Sequence, residues 1–299
     1  DAAYRVLRRH YQRMLWHEPG ARVGMNPESV HDMRVACRRM QAALRVFRNA
    51  LPARRAGGLR RDLKWLRRVL GEVRNLDVYL VHLAERSIEM QPDIREALEV
   101  YLADLRSERA KARESMLQTL ATRKYGRLLE RMHTMLDTGP PRRPTAMDAM
   151  KPAAIAAREK IISLHDKVLK DGRKLNADSP NEAFHKLRIK CKRLRYACEF
   201  FQEMYGKPIR KFISRLKKLQ DILGENQDAV VAREQLREYA EARRRRRSAD
   251  YKVYMALGTL MAYHDGRMRE ARGAFQKRWA KFDRNKVRSQ LIACLDKHI

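Results

Sequence analysis

Residues 31–40 read HDMRVACRRM and residues 185–194 read HKLRIKCKRL. Each segment holds a histidine, an arginine three positions on and a basic residue seven positions on. His31, Arg34 and Arg38 in the first copy answer to His185, Arg188 and Lys192 in the second, with Arg39 answering to Arg193. At about 100° per residue these three positions fall within about 60° of one another on a helix, so each copy presents one cationic stripe. The chemistry open to such a stripe is recognition of repeated negative charge. Arginine forks grip pairs of phosphoryl or carboxylate oxygens, lysine supplies a point charge, and histidine adds a donor that titrates near neutrality. Behind each stripe lies an apolar face at helical period, made by Val30, Met33, Cys37, Met40, Leu44 and Phe47 in one copy and by Phe184, Leu187, Cys191, Leu194, Cys198 and Phe201 in the other. One face of the helix anchors it and the other presents charge.

A second pair of segments repeats in the same order. LKWLRRVLGEVRNLDV, Leu63 to Val78, matches LKKLQDILGENQDAVV, Leu216 to Val231, so the chain is an internal duplication. The helix before the first LG pair carries its own cationic face, with Arg60, Arg61, Arg67 and Arg68 around Lys64, and with Leu59, Leu63, Leu66 and Leu70 on the opposite side. In the second half Lys217 matches Lys64, but it and Arg210 share their face with Ser214 and Asp221, so the charge there is weaker. Packing of corresponding helices about a pseudo-twofold axis would let the histidine and lysine stripes line one shared basic groove. The acidic residues of the LG motifs, Glu72, Asp77, Glu225 and Asp228, read as helix caps or as holders of arginines.

These motifs resemble the CHAD family, the conserved histidine α-helical domain. In that family each repeat carries a HxxRVxxRRLR-like helix followed by a helix ending in LGxxxD, and HDMRVACRRM, LGEVRN, HKLRIKCKRLR and LGENQD stand here in that order. The likeness runs from Tyr4 to Leu295. Asn75 stands where the motif usually has Asp, and Met40 and Gln41 replace the Leu-Arg that Leu194 and Arg195 keep, which leads one to expect a less basic first stripe. The resemblance implies an all-α fold of two related bundles around a basic channel, binding of inorganic polyphosphate, no cofactor, and no established enzymatic activity. The candidate binding set in the first half is His31, Arg34, Arg38 and Arg39 with Lys64, Arg67 and Arg68. In the second half it is His185, Arg188, Lys192, Arg193 and Arg195 with Lys217 and Lys218.

Composition reaches part of this by itself. Lysine and arginine number 67 against 36 acidic residues, a net charge of +31. Both halves share the excess, with 30 basic against 18 acidic residues in 1–150 and 37 against 18 in 151–299. A fold this positive needs a polyanionic partner or counter-ions: polyphosphate, nucleic acid or an anionic surface. RNA or DNA is the alternative partner, and the Arg243–Arg247 run fits it. Aromatics, however, are only 7% of the chain and mostly occupy apolar helix positions, so no base-stacking platform is evident. The His-Asp pairs at 31–32, 165–166 and 264–265 bear a superficial likeness to the HD motif of metal-dependent phosphohydrolases. Lys186 replaces Asp32 in the second copy, and no HExxH, Walker loop or GxSxG occurs, so a binding protein is expected rather than an enzyme. The four cysteines form no CxxC pair and read as buried free thiols of a reducing cytoplasm, with polyphosphate granules as a destination that the binding itself would supply. No run approaches the roughly 20 apolar residues of a membrane span. The chain starts at Asp1 rather than Met, which is compatible with a preceding segment.

Proline and glycine mark the joints. Helices are expected at 2–17, 28–51, 59–73, 79–90, 94–120 and 125–136, then at 153–174, 181–205, 209–223, 229–247, 251–275 and 286–295, with no strand signal. The segment DTGPPRRPT, 137–145, disfavours helix on both sides of its prolines. The expected organisation is therefore all-α, with two tandem pseudo-symmetric bundles: a first repeat over 1–138, a linker over 139–147 and a second repeat over 148–299.

Overall fold

The computed structural model describes residues 2–141, 146–245 and 250–297. Every regular element among them is helical: ten α-helices and one 3-10 turn. The chain divides into two compact units, the first of residues 1–89 and 99–151, the second of residues 90–98 and 152–299. Unit 1 contains α1 (Ala2–Val23), α2 (Pro27–Val46), α3 (Ala53–Ser87), most of α4 (Pro92–Leu120) and α5 (Arg123–Thr138). Unit 2 contains α6 (Ala153–Gly172), α7 (Asn181–Phe200), α8 (Gln202–Arg245), α9 (Tyr251–Phe282) and α10 (Asn285–Asp296). In each unit the histidine helix is central, α2 packing on α1 and α3, and α7 on α6 and α8. The last helix closes the same way in both, α5 on α1 and α3, and α10 on α6 and α8.

The apolar faces expected of the two histidine helices are the cores of their units. Met33, Cys37 and Met40 are wholly buried in one, Leu187, Cys191, Leu194 and Cys198 in the other. Leu63, Leu66 and Leu70 of α3 and Leu216 and Leu219 of α8 meet them, also without exposure. Truncating any one of these leucines to alanine removes both transfer energy and packing, at a cost of about 2–5 kcal/mol. All four cysteines are buried and free, and burial pushes the Cys37 thiol up to about 12.

Several boundaries differ from the sequence expectation. Helix α1 continues past Pro19 to Val23, because Glu18 pairs with Arg22 at 2.7 Å and accepts the Tyr125 hydroxyl at 2.6 Å, and Arg22 donates to the Leu120 carbonyl. These contacts offset the hydrogen bond that proline forfeits, and the helix stops instead at Gly24, whose φ of 79° few other residues adopt. The two helices expected on either side of each LG pair are one helix. Helix α3 runs unbroken for 35 residues through Gly71, and α8 runs through Gly224, its one non-helical residue being Gly206 at φ 60°. A lone glycine costs a helix only about 1 kcal/mol, which the buried leucines around it outweigh. Helix α5 ends at Thr138 with Gly139 as its cap at φ 66°. Residues 142–145 of the expected linker and residues 246 and 247 of the arginine run lie outside the described residues.

Candidate functional site

In unit 1, α2 and α3 pack antiparallel with their cationic stripes along one seam. Four contacts fix the register. The Arg74 charge lies close enough to His31 to act on it, Arg34 Nε lies over Gly71, the Arg67 charge acts on Cys37, and Gln41 Nε2 donates 3.2 Å to the Arg60 carbonyl. Positions rise on α2 as they fall on α3. The seam therefore gathers His31, Arg34 and Arg38 from one helix with Arg67 and Arg74 from the other, all of them half-buried. The Nε atoms of Arg38 and Arg67 are buried and have no hydrogen-bond partner among the described residues. Burial and the Arg74 guanidinium hold the His31 imidazole below its ordinary pKa, ahead of the opposing effects of Glu28 and Asp32 and the further lowering by Arg38.

Unit 2 has the same register. His185 Nδ1 lies 2.5 Å from Gln227 Oε1, Arg188 Nε lies over Gly224, and Gln220 Nε2 donates 3.0 Å to the Cys191 carbonyl. Shifted by the repeat, these are the positions paired in unit 1 as His31 with Arg74, Arg34 with Gly71 and Cys37 with Arg67. The shift also shows an asymmetry, because Arg67 and Arg74 are replaced by Gln220 and Gln227. The first seam is thus the more cationic, the reverse of what the motif residues on α2 and α7 suggested. Arg195, the residue behind that expectation, is held by Glu199 at 3.6 Å and lies over the Tyr196 ring at 5.3 Å.

The remaining candidates divide by exposure. Lys64, Arg68, Arg193, Lys217 and Lys218 are exposed on their helices, whereas Lys192 is half-buried. Arg39 turns away from the seam, and its charge acts on His10 of α1. Each seam also carries one exposed carboxylate on a half-buried guanidinium: Glu28 at 3.0 Å from Arg74, and Asp228 at 3.9 Å from Arg188. Asp77 and Glu225 do hold arginines, Asp77 binding Arg109 at 2.9 Å and Glu225 binding Arg267 at 3.6 Å. Asp32 faces His17 and Arg13 of α1.

Sequence reasoning missed Arg74 and Gln227, which follow each LG pair by three residues and so sit one helical turn beyond it. It also missed one arginine on the fourth helix of each unit that fixes the joint before the histidine helix. Arg113 donates to the carbonyls of Ala21, Arg22 and Val23, while Arg272 donates to the Ala177 carbonyl and Asn181 Oδ1, both at 2.7 Å.

The fold and the seams define a duplicated helical protein in which each half packs its histidine helix against the helix that carries the LG pair. The chain belongs to the CHAD domain family, which it matches over residues 5–237. It is similar to the crystal structure of the CHAD domain from the plant Ricinus communis, with a TM-score of 0.74 and 28% identity, covering 93% of this chain and 90% of that one. It shares its fold with PptA from Streptomyces chartreusis, with a TM-score of 0.73 at 20% identity, covering 94% of this chain and 98% of that one. No curated protein matches the chain.

Proposed function

We propose that this chain binds inorganic polyphosphate along its cationic seams and carries out no reaction on it. One observation carries the reading: in both units a His-Arg-basic stripe is laid on the helix of the LG pair, with the same three pairs of positions brought together. The guanidinium groups along a seam recur at helical spacing, and a linear polyphosphate offers a charge every few ångströms with oxygens that suit bidentate forks. Its affinity would come from release of counter-ions, so it falls with salt. The family resemblance favours polyphosphate over other polyanions. Among the described residues the exposed aromatics are Trp16 on α1 and Tyr251 on α9, so neither seam offers the stacking surface that sequence-tolerant single-strand binders use. No described helix is long and apolar enough to cross a membrane. Attachment to polyphosphate granules would follow from the binding itself.

The test is a competition titration of polyphosphate against single-stranded RNA and DNA of matched charge. Polyphosphate is expected to win, with each neutralised phosphate adding roughly −0.7 to the slope of log affinity against log salt, by analogy with single strands. Arg34→Ala with Arg188→Ala should weaken binding on the order of 100-fold, while the exposed-charge control Arg123→Ala with Lys277→Ala changes it little. Equal binding of RNA overturns the choice of ligand. An equal loss in the control shows that diffuse charge, not the seams, holds the anion.

A further inference from the structure

The LG pair is the one motif of this sequence that the seam's cations leave unexplained, since neither residue carries charge. Glycine in the middle of a long helix is a cost, and both α3 and α8 bear it at the same place in the repeat. The surroundings of the other glycines show what ordinary causes look like. A methyl at Gly172 would strike the Trp279 ring at 2.0 Å, so that glycine serves helix packing, and a methyl at Gly57 or Gly126 would meet nothing. Gly71 and Gly224 share a third kind of neighbour with Gly58 of α3, where a methyl would meet the Arg131 guanidinium at 2.1 Å: an arginine side chain. Among the described residues, and leaving aside the helix's own backbone, a methyl at Gly71 would meet Arg34 Nε at 3.3 Å and one at Gly224 would meet Arg188 Nε at 4.0 Å. No apolar side chain of the described residues comes within 4 Å at either position.

We infer that Gly71 and Gly224 are positioning residues for the anion site, each a bare stretch of helix on which the Arg34 or Arg188 fork lies flat. Both Nε atoms are buried, which places the stem edge of each guanidinium against the neighbouring helix, so that a phosphoryl group would meet the Nη edge, in competition at Arg188 with Asp228 at 3.9 Å. Laid down in this way, the fork loses little freedom on binding, and the bidentate geometry is set before the ligand arrives. A β-carbon at Gly71 stands 3.3 Å from Nε, tighter than most such contacts, so the fork has to shift by a few tenths of an ångström. At Gly224 a β-carbon makes ordinary contact, so the second fork is held less tightly.

This inference rests on the polyphosphate reading, and the experiment separates the two. Gly71→Ala should lower polyphosphate affinity about tenfold, or ~1.4 kcal/mol, while leaving the thermal midpoint equal or higher, because alanine is the better helix former. A merely structural glycine would show the opposite: lost stability with affinity following it. Gly224→Ala should cost clearly less than Gly71→Ala. In the Arg34→Ala background, Gly71→Ala should cost nothing further. A full additional loss there overturns the inference even if wild type binds polyphosphate well. A ligand-free arm reads the same geometry by the exchange of the Arg34 Nε proton with water, slow in the wild-type chain and fast in Gly71→Ala. If wild type fails to bind polyphosphate, the functional reading falls and the exchange arm alone decides the positioning. Unchanged exchange in Gly71→Ala overturns it.

Discussion

Acid should unfold unit 2 through a single buried imidazole. His165 on α6 is 2% exposed and lies between the rings of Phe212 and Phe282, with centroids 5.7 and 6.0 Å away. Its Nε2 is buried without a hydrogen-bond partner among the described residues. Burial lowers its pKa from 6.5 to about 4, with smaller and opposing effects of Asp166 and Asp283 against Arg288 and Arg173. The unfolded chain protonates this group first as pH falls. The stability it secures is therefore present above the unfolded pKa and lost on the way down to the folded one, at ~1.4 kcal/mol per pH unit. Between about pH 7 and about pH 4.5 the loss amounts to roughly 2.5 kcal/mol. Trp279, packed against Phe275 and Phe282, reports this unit by fluorescence once Trp16 and Trp65 are changed to Phe. Urea titrations across that range should show the wild-type midpoint falling. His165→Leu, which also removes a buried unpaired nitrogen, should be no less stable at neutral pH and nearly flat with pH over the same interval. A variant whose midpoint falls as steeply as wild type would refute the assignment of acid sensitivity to His165. In unit 1, His10 on α1 is also depressed to about 4, by burial and then by Arg39, Arg9 and Arg13, so Trp65 should report a second acid transition there.

Two further outcomes concern the seams. Because burial and Arg74 disfavour the His31 imidazolium in the empty site, a bound polyanion should restore it. Polyphosphate affinity should then rise as pH falls through the histidine range, and most of that rise should vanish in His31→Gln; an identical pH profile would make His31 structural. Glu28 occupies the place beside Arg74 that a phosphoryl group would take, and it also stands in the first turn of α2. Glu28→Gln should raise affinity about threefold over a Glu130→Gln charge control while slightly lowering the thermal midpoint, since an acid at a helix start is stabilising. Isothermal titration and thermal melts on the same samples settle whether the two move in opposite directions.

Much of this protein is determined by its sequence alone. The duplication, the helical class and the buried faces of α2 and α7 follow from period and repetition. Residues such as Met33, Cys37, Leu187 and Cys191 recur at helical spacing and have only one way to escape water. The stripe of His31, Arg34 and Arg38 follows from the same geometry, because residues three and four apart share a helix face whatever surrounds them. Tertiary structure alone decided what those stripes meet. Pro19 and Gly71 look like helix breaks locally, yet contacts distant in sequence, Tyr125 on Glu18 and leucines on leucines, outweigh costs of a kcal/mol or so. The register of α2 on α3 joins positions 31 and 74, 34 and 71, and 41 and 60, separations that no local pattern encodes. That register brings Arg74 into the first seam and Gln227 into the second, makes the first seam the more basic, and turns a glycine without chemistry of its own into the bed of an arginine.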